Sequence, residues 1–439
     1  MLQKLFRLKE NRTDLKTEIV AGVTTFMTLS YIIFVQPTVL SSCGMDFGAV
    51  LVATCVASAI ATFLMGLYAN YPIALAPGMG QNFFFAYTVV MQMGISWEKA
   101  LGAVFISGML FLLLSFFGFR EKLIDGIPDS LKEAISVGIG LFVAMIGFQW
   151  SGIVVATQGS IVGLGDLHSA PVLVSVFGLL LTVILVAVRV RGALLYGILA
   201  TALAGLPLGV VKYHGVLGGA PSLAPTFLKL DIPGAFDLGL VSVIFVFFFL
   251  ALFDSVGTLI GVSNQAGLLV NNKLPRAREA LAADAFGSVS GALLGTSTVT
   301  AYVESAAGVS EGGRTGLANM VTGLLMLAAL FLYPLSRMVG DGFRLSDGSQ
   351  IYPVVAPALI VVGSMMLRNV RRIRWEEATE AIPAFLTMVI MPFAFSITEG
   401  IAFGFISYAL LKIVTGRWRE VHGLVYLFAI LFVVRYVWL

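Results

Sequence analysis

Apolar residues run along this chain in long blocks separated by short polar stretches, with neither the strict alternation of a half-buried strand nor the narrow stripe of a surface helix. A helix that crosses a bilayer needs about 20 predominantly apolar residues. In the first half, blocks of that kind lie at 18–40, 47–68, 98–118, 133–153, 171–189 and 193–213. The second half supplies 238–262, 277–295, 315–339, 352–367, 382–397 and 400–415, and a last apolar run covers 421–438. Two further pieces are interrupted. Tyr71 to Tyr87 carries Pro77, Gly78 and Gly80 before it turns apolar, and 302–310 is too short and too polar to span. Each is the third of seven segments in its half. Asn82 lies 64 residues after the start of the first segment and Glu304 lies 66 after the start of the eighth, a repeat of layout and not of residue identity. Interrupted segments in matching positions of two halves point to a transporter's binding site.

Loop charges set the expected topology, because cytoplasmic loops are enriched in Lys and Arg. With the N-terminus inside and both interrupted segments counted as crossings, the clusters at Lys4 to Lys16, Arg120/Lys122/Lys132, Arg189/Arg191, Lys273/Arg276/Arg278, Arg314 and Arg368 to Arg374 all fall inside. Loops 41–46 and 154–170, on the other side, hold no Lys or Arg. Five cations fall outside against the rule: Lys99, Lys212, Lys229, Arg337 and Arg344. Seven crossings per half is odd, so the two repeats must be inverted. Arg417 and Arg419 return the chain inside, and 421–438 is an extra element, either interfacial or one more crossing.

Composition agrees. Hydrophobic residues make up 58% of the chain and charged ones 12%, with mean hydropathy +0.96, against about 25% charged in a soluble domain. The fold class expected is an all-α polytopic membrane protein of 14 transmembrane segments. The net charge of +3 is dispersed over short loops, which does not call for nucleic acid. Cys43 and Cys55 have no metal-ligand spacing and read as small core residues. Residues 1–17 are charged and lack a signal peptide's apolar region; they read as a cytoplasmic lead-in able to lie on the membrane surface. His168, His214 and His422 fall in loops or at a terminal junction, so no intramembrane histidine relay or metal site is expected. No phosphate loop and no nucleophile–base pair is found, against an ATP-driven pump or an enzyme. No cofactor is expected.

Ionisable residues at membrane depth are few, and such residues mark substrate or ion pathways. Asp254 follows a stretch, 238–253, in which fourteen of sixteen residues are apolar or aromatic. Glu304 follows three threonines and a serine. Asp284, just after Arg276 and Arg278, reads as an interfacial residue near a helix start, and Glu399 as a residue facing water at a turn. Asp254 and Glu304 could together accept the N–H edge of a neutral heterocycle, with half-helix N-termini at Pro77–Asn82 and Thr300–Glu304 supplying backbone donors. Asn82 offers a donor and an acceptor, and Phe83, Phe84 and Phe85 offer rings. A buried carboxylate can exchange a proton, which makes Glu304 and Asp254 the candidates for proton coupling. Gly257, Gly261, Gly287, Gly291 and Gly295 suit close helix packing.

Four stretches resemble the AzgA-like adenine/guanine/hypoxanthine permeases of the nucleobase–cation symporters, whose fold is that of the bacterial uracil/proton symporter. They are Glu18 to Val35, which contains Thr25 and Phe26; Ala76-Pro-Gly-Met-Gly-Gln-Asn82; Phe253-Asp254-Ser-Val-Gly-Thr258-Leu259; and Gly295-Thr-Ser-Thr-Val-Thr-Ala-Tyr302-Val-Glu304 on to Gly316. The likeness runs nearly end to end. It implies a seven-plus-seven inverted repeat with a core domain (18–118 and 238–339), a gate domain (119–213 and 340–416), a linker at 214–237 and a C-terminal apolar helix at 417–439. It implies substrate contacts at Asp254, Glu304, Gly80 and Asn82, with Thr258 where the uracil carrier has histidine, and with Thr25, Phe26, Tyr302 and Phe83 in the same motifs. The activity implied is secondary import of purine nucleobases by proton symport, with sodium as the other coupling ion, through an elevator movement of core against gate. A bacterial inner (plasma) membrane location with the N-terminus cytoplasmic, and a homodimer through the gate domain, also follow from the likeness. The alternatives are an anion exchanger of the same fold and a uracil or xanthine carrier. The chain departs from the family pattern at Ala251, where a further Asp is usual, and at Gln81, Phe83 and Phe84, where the usual Gly-Leu-Asn-Ala-Tyr run is Gly80-Gln81-Asn82-Phe83-Phe84.

Overall fold

The computed structural model describes residues 2–117, 127–157, 160–236, 240–269, 274–345 and 348–438. Arg120, Lys122, Lys273 and the start of the 238–262 run lie outside the described residues. The architecture is helical and polytopic. Among the described residues eight helices are long and apolar enough to cross a membrane, the first being Leu15–Ser41, and shorter apolar helices accompany them.

That first span is two helices, α2 (Leu15–Leu29) and α3 (Ile32–Ser41), after a single turn, α1 (Leu2–Leu5). Hydroxyls explain the break. Thr28 Oγ1 donates to the carbonyls of Thr24 and Thr25 (3.0 and 2.9 Å) and Ser30 Oγ to that of Met27 (3.1 Å), competing with the helix ladder just before it ends. Next comes α4 (Phe47–Leu64), capped by Asp46 and continued by π-helical turns at Met65–Ala69. Left-handed Asn70 stops it. The interrupted third segment follows as β1 (Leu75–Pro77), α5 (Met79–Phe83) and π-helical turns at Phe84–Gln92. α6 (Trp97–Phe117) closes this set.

The middle of the chain holds α7 (Asp129–Trp150), the hairpin β2–β3 (Val154–Thr157, Ser160–Leu164), α8 (Ala170–Ala187) and α9 (Ala193–Gly205). The second half repeats the order: α10 (Leu240–Gln265), α11 (Ala277–Leu294), β4 (Val299–Ala301), α12 (Ser305–Ser310), α13 (Gly316–Ala328) and α14 (Tyr333–Gly340). A small hairpin, β5–β6 (Phe343–Arg344, Gln350–Ile351), leads to α15 (Ala356–Met366), α16 (Ala378–Phe393), α17 (Ile397–Val414) and α18 (Gly423–Trp438).

Packing divides these helices into two groups. α2, α4, α6, α10, α11 and α13 pack chiefly on one another, as do α7, α8, α9, α15, α16 and α17. Lipid offers little hydrophobic drive between helices, so close approach through small residues carries the contacts. A Cβ on Gly316 would lie 1.9 Å from the Gly66 carbonyl in the first group, and one on Gly363 would lie 2.4 Å from the Gly140 carbonyl in the second. The buried Glu18 carboxylate fastens the first group by accepting from the backbone N–H groups of Arg314 (2.8 Å) and Ala318 (3.2 Å) at the start of α13.

Two expectations are corrected. The lead-in is not a surface helix: Phe6 and Leu8 are buried against Leu317, and the Phe6 carbonyl accepts from Asn70 (3.1 Å). Gly257 and Gly261 pack against nothing among the described residues, where a Cβ at either would meet no atom within 4 Å. The last apolar run is clearer than its sequence. α18 runs antiparallel beside α17, with the Tyr426 hydroxyl donating to the Trp418 carbonyl near one end and Arg435 paired to Glu399 (2.9 Å) at the other. Glu399 therefore faces a cation and the Tyr436 hydroxyl as well as water.

Candidate functional site

The two interrupted segments meet each other. β1 and β4 pair antiparallel in the register Leu75↔Ala301, Ala76↔Thr300 and Pro77↔Val299, all buried. The pairing continues at both ends, from Gly78 N–H to the Thr298 carbonyl and from Tyr302 N–H to the Ala74 carbonyl, each 2.9 Å. Extended backbone at membrane depth survives only where protein satisfies its polar groups. Here each broken segment satisfies the other, and Thr62 Oγ1 of α4 serves the N–H and carbonyl of Leu75 from the side. Tyr302 locks the crossing by donating its hydroxyl to the Pro77 carbonyl (2.5 Å).

This crossing places α5 and α12 just beyond it and brings the two carboxylates to one place. Asp254, on α10, accepts from Thr300 Oγ1 of β4 (3.1 Å) and from Gln81 Nε2 of α5 (3.4 Å). Glu304, at the N-cap of α12 four residues after Thr300, accepts from the Tyr31 hydroxyl (2.7 Å). Tyr31 stands at the break between α2 and α3, its ring 6.4 Å from that of Tyr302. Both donors to Asp254 meet Oδ2, and Tyr31 meets Oε1 of Glu304, so each carboxylate keeps lone pairs to offer. Among the described residues no Lys or Arg forms an ion pair with either one.

A second network lies behind the first. Gln36 Nε2 donates to Thr296 Oγ1 (2.9 Å) and Ser297 Oγ (3.0 Å), and Ser297 Oγ donates to Asn82 Oδ1. Asn82 thus has its acceptor engaged inside the protein, and its buried Nδ2 has no partner among the described residues. Asp284 is fully buried on α11 and accepts from Ser255 Oγ (2.6 Å), one residue past Asp254. The expectation of an interfacial Asp284 is wrong; it braces α11 to α10 behind the site.

The remaining candidates are less direct. Phe83 is fully buried, its ring beside those of Tyr87 (5.9 Å) and Trp150 (6.3 Å), and Trp150 Nε1 donates to the Tyr87 hydroxyl (2.7 Å). Gly80 lies against Ile139 of α7, where a Cβ would sit 2.9 Å from its methyl. Thr25 packs on Gly308 of α12, Phe26 is half-buried, and Thr258 stands half-buried one turn after Asp254. Sequence reasoning missed Tyr31, Thr300 as an individual ligand, and Gln36. A tyrosine and a glutamine inside an apolar span were the available signals.

Access to the carboxylates is one-sided. From Val246 to Leu252, α10 is buried all round. From Asp254 to Gln265 one face opens, through exposed Asp254, Gly257, Gly261, Asn264 and Gln265. At the other end the rings of Phe83, Tyr87, Trp150 and Tyr352 close ranks, Trp150 and Tyr352 at 4.3 Å. The arrangement holds two hydrogen-bond acceptors, unneutralised by cations among the described residues, where the open face of α10 begins.

The Permease family model (Xan_ur_permease) matches residues 16–403. The adenine permease AdeP of Escherichia coli is 46% identical over 440 residues, covering 100% of this chain and 96% of that protein. The guanine/hypoxanthine permease PbuG of Bacillus subtilis is 45% identical over 450 residues and covers 100% of both. Among solved structures, the transmembrane domain of a cyanobacterium bicarbonate transporter, BicA, superposes with a TM-score of 0.63 at 13% identity, covering 88% of this chain and 97% of that one.

Proposed function

The chain belongs to the Permease family, and from that premise we propose that it imports purine nucleobases by alternating access, with Asp254 and Glu304 as the groups that grip the base. The observation that carries this reading is the pair of unneutralised carboxylates gathered by the β1–β4 crossing. Adenine, guanine and hypoxanthine each present ring or exocyclic N–H groups beside ring nitrogens. Two acceptors suit the N–H edge, and the second N–H of the Gln81 amide and the free N–H of Asn82 suit the acceptors. The high identity to purine permeases supports the same substrate class.

The finer architecture belongs to the same proposal. Fourteen segments form a seven-plus-seven inverted repeat, a layout supported by two broken segments that pair antiparallel with each other. The first packing group is the core and the second the gate, with the N-terminus cytoplasmic, so the open face of α10 leads to the cytoplasm. Core then slides against gate, closing the cytoplasmic side while the Trp150 cluster opens on the other. Glu304 or Asp254 carries the coupling proton, sodium being the other candidate ion. α18 adds a further crossing.

An anion exchanger is disfavoured although BicA shares the fold. Two carboxylates without a cation repel an anionic substrate at any plausible local dielectric. Uptake of labelled adenine, guanine, hypoxanthine, xanthine and uracil into cells lacking their own permeases tests the proposal. Saturable purine uptake abolished by a protonophore is expected. Absence of uptake of every base, with the protein in the membrane, overturns it.

A further inference from the structure

Three of the five cations that break the loop-charge rule meet in one place. Lys212, Arg337 and Arg344 line a cavity of about 440 Å³ between the turn after α9 (Gly209 to His214), the end of α14 and β5. Arg337 is committed within it, Nε to Asp341 Oδ1 at 2.6 Å and Nη2 to Oδ2 at 3.3 Å, with Nη1 donating to the Tyr333 hydroxyl (3.3 Å). His214 Nε2 lies 3.2 Å from Asp341 Oδ2, and the Gln350 amide donates to the Asp341 carbonyl (2.8 Å). Asp341, the one carboxylate among the described lining residues, is therefore occupied by Arg337 and His214. Lys212 and Arg344 are exposed and have no ion pair among the described residues.

A cavity walled by uncompensated cations concentrates anions. The depth of this one narrows the choice. Leu208, Tyr213 and Leu217, within three residues of the lining in sequence, are exposed by 55, 68 and 72%. Exposed tyrosine and apolar side chains around basic groups mark the headgroup level of a bilayer. We propose that the cavity binds a phosphate group, namely the phosphodiester of an anionic phospholipid headgroup in the leaflet opposite the N-terminal segment. The sidedness rests on the topology inferred above; the binding does not. Lys212 and Arg344 receive the phosphate oxygens by charge-assisted hydrogen bonds. α9 belongs to the second packing group, whereas α14 continues from α13 of the first and packs on α3, so a headgroup held there bridges parts that shift in the transport proposed above.

The test uses the full-length protein purified in neutral detergent. Its melting temperature is measured with added phosphatidylglycerol, phosphatidylcholine or inorganic phosphate, for the unaltered chain and for K212Q/R344Q. Arg337 is left in place because Asp341 depends on it. Native mass spectrometry counts the retained lipids in parallel, so that a variant of low intrinsic stability still gives a result. Phosphatidylglycerol should raise the melting temperature saturably by a few degrees, phosphatidylcholine should not, and the shift and the retained lipid should be lost in K212Q/R344Q. A phosphate-only response that depends on the two cations overturns the lipid assignment in favour of a free phosphate. An undiminished phosphatidylglycerol response in the double variant, or an equal one to phosphatidylcholine, overturns the site itself. None of these readouts involves purine uptake, so failure here leaves the transport reading untouched.

Discussion

Two clusters of charge in this protein are built on opposite terms. In the second packing group, the Lys412 side chain is 2% exposed, yet its Nζ lies 3.0 Å from Glu380 and 3.2 Å from Glu377. Arg417 pairs with Glu377 and Glu420, the Tyr408 hydroxyl donates to Glu380 (2.8 Å), and Thr379 donates to Glu377 (2.6 Å). Each carboxylate there meets a cation. In the first group, Asp254 and Glu304 meet only hydroxyls and one amide. Compensated charge holds α16 to α17 and asks nothing of a ligand. Uncompensated acceptors beside an open helix face are useful only when something with N–H groups, or a proton, arrives.

The contrast can be broken by substitution. Glu304→Ala should abolish uptake and Asp254→Ala should nearly do so, while both proteins still reach the membrane and melt cooperatively; wild-type rates in both would mean that the site lies elsewhere. Lys412→Met should do the reverse. Removing one partner of a buried pair costs about 3–5 kcal/mol, so the melting temperature should fall markedly while uptake per folded molecule persists. If K412M stays stable but loses transport, the second cluster is not structural.

Smaller effects sharpen the comparison. Tyr31→Phe removes the donor to Glu304, a hydrogen bond to a charged group worth roughly 1.5–3 kcal/mol. Uptake at low substrate should fall by about tenfold or more, with little change in melting temperature; an unaltered rate would show that Tyr31 does not serve the site. Glu377, at the N-cap of α16, is held down to about 2 from 4.5, first by the Thr379 hydrogen bond and then by Lys412 and Arg417. A lowered folded-state value stabilises the fold above the ordinary carboxylate range and is lost as pH falls through it. Melting temperature should therefore decline between about pH 4.5 and 2, and Glu377→Gln should flatten that decline. A slope unchanged in E377Q would assign it to other carboxylates.

Much of this was legible beforehand because membrane spans are long and their exceptions few. A carboxylate after a stretch as apolar as 238–253, and a polar piece too short to cross, stand out without any structure. The partners did not. Tyr31 meets Glu304 at the break after Leu29, where Thr28 and Ser30 hydroxyls bond to helix carbonyls and which a hydropathy pattern reads as continuous. Gln81 read as a departure from the family pattern, yet its amide is one of two donors to Asp254. Ala251, the other departure, is 1% exposed and lies one turn before Asp254, in the stretch of α10 that is buried all round. The spacing of Gly257 and Gly261 suggested packing, but spacing cannot tell a glycine that admits a helix from one that leaves room for a ligand.

Equilibrium binding of labelled purine to the purified protein, compared with E304A and K412M, addresses the central claim most directly. The account predicts that K412M binds as the unaltered chain does wherever it remains folded, and that E304A melts cooperatively and binds no purine. Purine binding by E304A at unaltered affinity would contradict it.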